Sequence, residues 1–121
     1  GGTSFKRYME LAKTLNIRAA IIRDNDGNYE ENCIANYADH TANNIKVFSD
    51  SDDHNYTFEV CLYRKNKAIC DALFSGGNIK KEPLDFMLSN KAESSLRLVE
   101  KHSEDLDSPD YIQQAIQWIN E

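Results

Sequence analysis

The sequence predicts an α/β fold, in which a small, mainly parallel sheet of two or three strands is flanked by helices and followed by a helical C-terminal half. A strand is predicted over about residues 17–23, because its centre, Ala19-Ala20-Ile21-Ile22, is an apolar run without polar alternation, which is typical of a strand buried on both faces. Apolar residues recur at helical spacing before this run, and again after Asn66. A short second strand is predicted at Ile45–Phe48. This alternation of helices and strands is typical of a parallel sheet.

Two helices are predicted around the first strand. The first ends at Asn16, and its predicted buried face consists of Phe5, Tyr8, Leu11, Ala12 and Leu15. Residues 30–41 form a modest amphipathic helix whose apolar residues are Cys33, Ile34, Tyr37 and Ala38. No strand precedes the first helix, and an all-parallel sheet seldom begins in this way. We therefore expect this chain to be part of a longer protein.

The second half of the chain is expected to be helical. Residues 56–63 are rich in β-forming residues and form either a third strand or an extended segment before the next helix. Residues 75–78 are a break, and a helix begins near Pro83. This helix either continues through Lys91 or is followed by a new helix that starts at Lys91, since Asn90 and Glu93 fit a capping box. The last helix begins after Ser108-Pro109, and its predicted buried face consists of Ile112, Ala115, Ile116 and Ile119.

Length and composition limit the function classes. A chain of 121 residues fits a single domain. Its net charge of −6 argues against a protein whose main task is to grip a nucleic-acid backbone, although an acidic metal site still handles phosphodiesters. No apolar run is long enough to cross a membrane, and no secretory signal opens the chain. Three cysteines without a C-x-x-C pair predict reduced, mostly buried thiols in a cytoplasmic protein.

Asp24 and Asp26 are the first candidate site residues. They follow the predicted buried strand, and functional crevices in such sheets lie at the carboxyl ends of strands. Two carboxylates at this position can share a Mg²⁺ ion. A solvated turn at Asp24-Asn25-Asp26-Gly27 is the competing interpretation. A calcium EF-hand loop is excluded, since Ile22 would occupy its first ligand position when Gly27 is placed at the sixth.

Glu59 and Lys91 are the other candidates. Glu59 lies among apolar residues, where a carboxylate needs a metal or a cationic partner unless its side faces water. Lys91 lies in the middle of an apolar stripe, from which it either extends to solvent or stabilises charge on a phosphate. A further acidic loop contains Asp50, Asp52 and Asp53, and its part in the site stays open.

Four segments of the chain together resemble the TOPRIM nuclease domain at the C-terminus of the OLD (overcoming lysogenization defect) family of ATP-dependent endonucleases. They are Gly2-Thr3-Ser4-Phe5-Lys6-Arg7-Tyr8, the strand leading to Asp24-Asn25-Asp26-Gly27, Tyr56-Thr57-Phe58-Glu59, and Asn90-Lys91-Ala92-Glu93-Ser94-Ser95-Leu96. Their order and spacing cover residues 2 to about 100. The D-x-D-G segment alone is a weak signal, and the combination is more specific.

The resemblance implies a Rossmann-like TOPRIM sheet that binds two Mg²⁺ or Mn²⁺ ions and cleaves DNA by in-line displacement at phosphorus. It implies that Asp24 and Asp26 are metal ligands, that Lys91 is catalytic, and that Glu59 has a metal-binding or catalytic role. The first TOPRIM strand with its glutamate, and the ATPase domain that would bind ATP, are expected before Gly1. We therefore expect this chain to be monomeric and inactive by itself, and the longer protein to form a homo-oligomer on DNA.

Three alternatives stay open. A haloacid-dehalogenase-like phosphatase also carries D-x-D-G after an apolar strand, but it needs a later lysine and an acidic pair on parallel strands. A receiver-like regulatory domain would hold Mg²⁺ between aspartates and become phosphorylated by an acyl-phosphate donor. An interaction domain without any chemistry is the third alternative.

Overall fold

The computed structural model describes the backbone of residues 2–121 and the side chains of residues 5–121. The residues before Phe58 join those after Pro109 in a first compact unit, and Phe58–Pro109 form a second. In chain order the helices are α1 (Gly2–Leu15), α2 (Phe58–Lys65), α3 (Lys67–Leu73), α4 (Pro83–Ser89), α5 (Lys91–His102) and α6 (Asp110–Ile119), and the strands are β1 (Ala19–Ile22) and β2 (Ile45–Phe48).

The two strands form a parallel sheet. Ala19 lies opposite Ile45, and Ile22 lies opposite Phe48. The predicted bounds of the second strand are confirmed, whereas β1 is shorter than residues 17–23. Helices make up 55% of the chain and flank this small sheet, so the α/β prediction is confirmed.

The core of the first unit contains Met9, Ile21, Tyr37 and Ile45. The predicted buried face of α1 is partly wrong, because Tyr8, Leu11 and Leu15 are exposed while Phe5 and Ala12 pack against the core beside Met9. Both sets recur at helical spacing, and only the position of the sheet selects between them. The helix ends as predicted at Asn16, whose φ of 54° is the left-handed conformation that asparagine tolerates at helix ends.

The crossover between the strands is helical but irregular. A π-helical turn at Glu30–Ile34 runs into a 3₁₀ turn at Ala35–Tyr37, so the regular helix expected over residues 30–41 is wrong in type. The burial of Cys33 and Tyr37 agrees with the predicted apolar side, whereas Ile34 and Ala38 are exposed.

The second unit contains α2 to α5. Both alternatives for residues 56–63, a strand and an extended segment, are wrong from Phe58 onwards, because α2 begins there. Its charges favour a helix: Glu59 lies in the first turn, and Arg64 and Lys65 lie in the last, where each complements the helix dipole. The predicted helix starts at Pro83 and Lys91 are confirmed. The core of this unit consists of Cys70, Phe74, Met87 and Leu98.

The last helix belongs to the first unit, and its predicted buried face is only partly right, since Ala115 is buried and Ile112 is half-buried. Tyr111, Ala115 and Trp118 are buried, whereas Ile116 and Ile119 are exposed. The ring of Trp118 packs against Phe48 of β2 at a centroid distance of 5.7 Å. An aromatic side chain, and not the predicted isoleucines, therefore forms the contact of this helix with Phe48.

Candidate functional site

The candidate site lies where β1 and β2 end. The two strands are parallel, so their carboxyl ends meet at the same edge of the sheet. Arg23 N donates to Phe48 O at 3.2 Å, which extends the pairing one residue beyond β1. Asp24 and Asp26 then follow β1, and the acidic loop of residues 49–55 follows β2. The sequence-predicted aspartates therefore lie at a sheet edge, as expected.

Asn25 joins these two chain segments. It is fully buried, and its Nδ2 donates to the backbone oxygens of Asp50, Asp52 and Asn55 at 2.9, 2.9 and 3.2 Å. Its Oδ1 accepts from Gly27 N at 2.8 Å. Since a buried amide is costly unless its hydrogen bonds are made, this residue fixes the D-x-D segment against the acidic loop.

The aspartate after Asn25 is displayed to solvent on a tight reversal of the chain. Asp26 has φ of 53° and Gly27 has φ of 91°, and Asp26 N donates to Tyr56 O at 3.0 Å. The Asp26 side chain is 59% exposed, and its Oδ2 lies 2.9 Å from Arg23 Nη2. The carboxylate is thus held beside a guanidinium at the rim of the sheet.

Arg23 is fixed by further bonds. Its Nε donates to Asp24 O at 2.7 Å and its Nη1 donates to Tyr37 Oη at 3.1 Å. Only 17% of the Arg23 side chain is exposed. Asp24 itself is half-buried, and its carbonyl oxygen also lies 3.8 Å from Cys33 Sγ. Burial raises the pKa of the Cys33 thiol, so the group beside Asp24 is uncharged at neutral pH.

The carboxylates of the acidic loop bond to backbone N–H groups. Asp50 Oδ1 accepts from Asp52 N at 2.9 Å, and Asp52 Oδ1 accepts from His54 N at 2.9 Å. Asp53 Oδ1 accepts from Tyr29 N at 2.8 Å. The bonds of Asp50 and Asp52 stabilise turns of the loop, whereas that of Asp53 joins the loop to the segment after Gly27. Each of the three aspartates therefore has a structural role.

Carboxylate oxygens of the kind found at this edge are ligands that a hard cation prefers. Mg²⁺ is usually held by one or two carboxylates, and waters and substrate phosphates complete its coordination. Asp24 and Asp26 supply that number. Among the residues that the structure describes, no three His, Cys, Asp or Glu side chains are grouped so as to hold a metal ion by themselves. A metal at Asp24 and Asp26 would therefore need ligands that the substrate and water provide.

Glu59 and Lys91 are brought together in the second unit. Lys91 Nζ lies 3.4 Å from Glu59 Oε1, and the two side chains are 57% and 19% exposed. Glu59 lies in the first turn of α2, and Lys91 is the first residue of α5. Lys91 thus provides the cationic partner that the sequence predicted for the Glu59 carboxylate.

Sequence reasoning missed Arg23 and Asn25. Arg23 precedes Asp24, and Asn25 lies between the two predicted ligands. The role of Arg23 depends on Tyr37, and that of Asn25 on carbonyl groups of residues 50–55, all distant in sequence. Asparagine before an Asp-Gly turn is a signal for local bonding, but it gives no indication of the loop that it contacts.

Comparison with known proteins adds no relative. No protein-family model, no curated protein and no solved structure matches this chain. Within the part of the chain that the structure describes, no helix has both the length and the apolar character needed to cross a membrane.

Proposed function

We propose that this chain is part of a divalent-metal-dependent DNA endonuclease. The observation that carries the proposal is the position of Asp24 and Asp26 after β1, at the edge where both parallel strands end. Asn25 holds this segment against the loop that follows β2, which fixes the backbone that carries both carboxylates. Hydrolysis of phosphodiesters is the chemistry that such oxygen-ligated metal sites favour.

In this proposal Asp24 and Asp26 provide the protein ligands to Mg²⁺ or Mn²⁺. A bound ion of this kind supplies Lewis acidity and lowers the pKa of coordinated water. Arg23 Nη2 lies 2.9 Å from the Asp26 carboxylate, so a metal cation at Asp26 has to compete with this ion pair. Asn25 keeps the backbone of both ligands in place during that exchange.

The choice of DNA as substrate rests on the resemblance to TOPRIM nucleases. The same resemblance gives Lys91 the role of stabilising negative charge on the phosphate. The Glu59 carboxylate at 3.4 Å orients the Lys91 ammonium, and Glu59 itself is proposed as a metal-binding or catalytic residue. We infer a two-metal site and an ATPase domain only for the longer, homo-oligomeric protein.

One feature argues against the haloacid-dehalogenase-like rival. Residues 58–109 contain helices and no strand, whereas a haloacid-dehalogenase-like phosphatase would need further parallel strands there. The buried free cysteines Cys33, Cys61 and Cys70 favour a reducing compartment, and we infer that the protein is cytoplasmic.

The experiment compares plasmid nicking by the longer protein with that of its Asp24→Asn and Asp26→Asn variants in Mg²⁺ or Mn²⁺. We expect metal-dependent nicking that both variants lose, and we expect the 121-residue chain alone not to nick. Nicking that persists in both variants would overturn the proposal. Phosphorylation of an aspartate by acetyl phosphate, detected by mass spectrometry, would favour the receiver-like domain instead.

A further inference from the structure

An open groove of about 680 Å³ lies on the second unit. Its walls come from the loop of residues 75–81 and from the helices α4 and α5. Phe86 and Ile79 supply apolar surface, and Asn90 supplies an amide. Gly76 and Gly77, whose φ values are 77° and 58°, let the loop turn back along the helices.

The groove is positively charged although the chain as a whole is acidic. Lys80, Lys81 and Arg97 line it, and Glu93 is the one carboxylate among its lining residues. In residues 5–121, whose side chains the structure describes, none of these three cations forms an ion pair. Lys81 Nζ donates instead to the neutral Ser89 Oγ at 2.8 Å. Three unpaired cations facing one groove repel one another, and a bound anion would relieve that repulsion.

Arg97 is held in position before any ligand arrives. Its Nη2 donates to Leu73 O at 3.2 Å, and its guanidinium lies 5.4 Å from the Phe74 ring centroid and 5.9 Å from that of Phe86. A guanidinium fixed on aromatic rings loses little conformational freedom when it binds a phosphate with its remaining N–H groups.

We propose that this groove binds the phosphate groups of a nucleic-acid strand. The cations come from a loop and a helix and lie along a groove much larger than one phosphate ion, which favours a chain of phosphates over a single small anion. The choice of a nucleic acid among polyanions rests on the proposed nuclease function. The groove supplies binding that is independent of the carboxylates Asp24 and Asp26.

The test is the fluorescence anisotropy of a labelled single-stranded oligonucleotide titrated with the full chain in EDTA. The groove variant is Lys80→Gln/Lys81→Gln, which changes two exposed side chains. The matched control is Arg7→Gln/Lys101→Gln, which removes the same charge from exposed residues outside the groove. Urea unfolding of each variant establishes that the fold is retained.

We expect the groove variant to bind about ten-fold more weakly, and its slope of log K against log salt to fall by roughly 1.4, since each lost phosphate contact removes about 0.7. The control should stay within about two-fold of the parent protein. Equal weakening of both variants, no binding by the parent protein, or complete competition by inorganic phosphate at equal concentration would overturn the proposal. Because EDTA removes divalent metal, this result is separate from any result on the aspartates.

Discussion

Arg23 Nη2 lies 2.9 Å from Asp26 Oδ2, so a cation of the protein already occupies the position beside the proposed metal ligand. Arg23 is itself held by Tyr37 Oη and Asp24 O. The ion pair therefore links the core of the first unit to the rim of the sheet. A metal ion bound by Asp26 would have to replace Arg23 beside this carboxylate, and the free energy needed to break the ion pair would weaken metal binding.

Removal of the competing cation should strengthen metal binding. We expect Arg23→Gln to bind Mn²⁺ about two- to five-fold more tightly, since a partly exposed ion pair of this kind contributes up to about 1 kcal/mol. Isothermal titration calorimetry measures the change, and Arg7→Gln is the control for loss of one positive charge. Unchanged or weaker affinity in Arg23→Gln would contradict the proposed competition.

Loss of the Asn25 side chain should destabilise the first unit. Asn25→Ala leaves three backbone oxygens and the Gly27 N–H without their partner, which we expect to cost about 2–4 kcal/mol of unfolding free energy. Asn25→Asp keeps the size but places a carboxylate against the same oxygens, and it should cost at least as much. Urea unfolding measures both.

The matched control for Asn25 is Asn43→Ala, which changes an exposed turn residue. We expect this variant to stay within about 0.5 kcal/mol of the parent protein. A similarly small effect of Asn25→Ala would contradict the role of Asn25 as the link between the two chain segments.

Some helix boundaries were predictable because local chemistry sets them, although the start of α2 at Phe58 was not. Proline at the first position of α4 and the asparagine stop after α1 act through their own backbone preferences. The buried faces were less predictable. In α1 and α6 two apolar stripes compete, and the choice between them depends on packing partners such as Phe48, which lie far away in sequence.

Lys91 should matter for activity more than for stability. In the proposed endonuclease we expect Lys91→Gln to lower nicking at least ten-fold, because the ammonium is proposed to stabilise charge on the phosphate. The free energy of unfolding should change by less than about 1 kcal/mol, since the Lys91 side chain is 57% exposed and its attraction to Glu59 is screened by water. Plasmid nicking and urea unfolding measure the two effects.

A second ion pair on the same unit provides the control for Lys91. Lys67 Nζ lies 2.6 Å from Asp71 Oδ2, and Lys67 is exposed. Lys67→Gln should change stability as little as Lys91→Gln and leave nicking intact. If both variants lose nicking equally, the loss comes from the change in net charge and not from the position of Lys91. Full nicking by Lys91→Gln would show that Lys91 has no catalytic role.

The thiol of Cys70 should make stability depend on alkaline pH. Burial raises its pKa to about 11, whereas the thiol of the unfolded chain ionises near pH 9. Between these values only the unfolded state loses the proton, so the unfolding free energy falls by up to about 1.4 kcal/mol per pH unit. We expect urea unfolding of the parent protein to show a steeper loss from pH 9 to pH 11 than that of Cys70→Ala. Identical slopes would contradict the burial of this thiol.

The candidate ligands could be predicted because acidic residues after an apolar strand carry their own signal. The predicted burial of that strand on both faces is wrong, since only Ile21 of β1 is buried and Ile22 is exposed. Asn25 could not be assigned its role, because its partners Asp50, Asp52 and Asn55 act through backbone oxygens, which no residue type reveals. The ion pair of Glu59 with Lys91 likewise depends on the packing of two helices.

The central claim is that Asp24 and Asp26 bind a divalent metal, and Mn²⁺ titration of the ¹⁵N-labelled protein tests it most directly. We predict that substoichiometric Mn²⁺ broadens the amide signals of residues 24–28 first, and that Asp24→Asn/Asp26→Asn abolishes this broadening. Asparagine tolerates the left-handed conformation of Asp26, so the variant should stay folded. The control Asp85→Asn/Asp105→Asn, which changes two exposed acids, should broaden like the parent protein. Unaffected signals at residues 24–28, or the same broadening in the site variant, would contradict the claim.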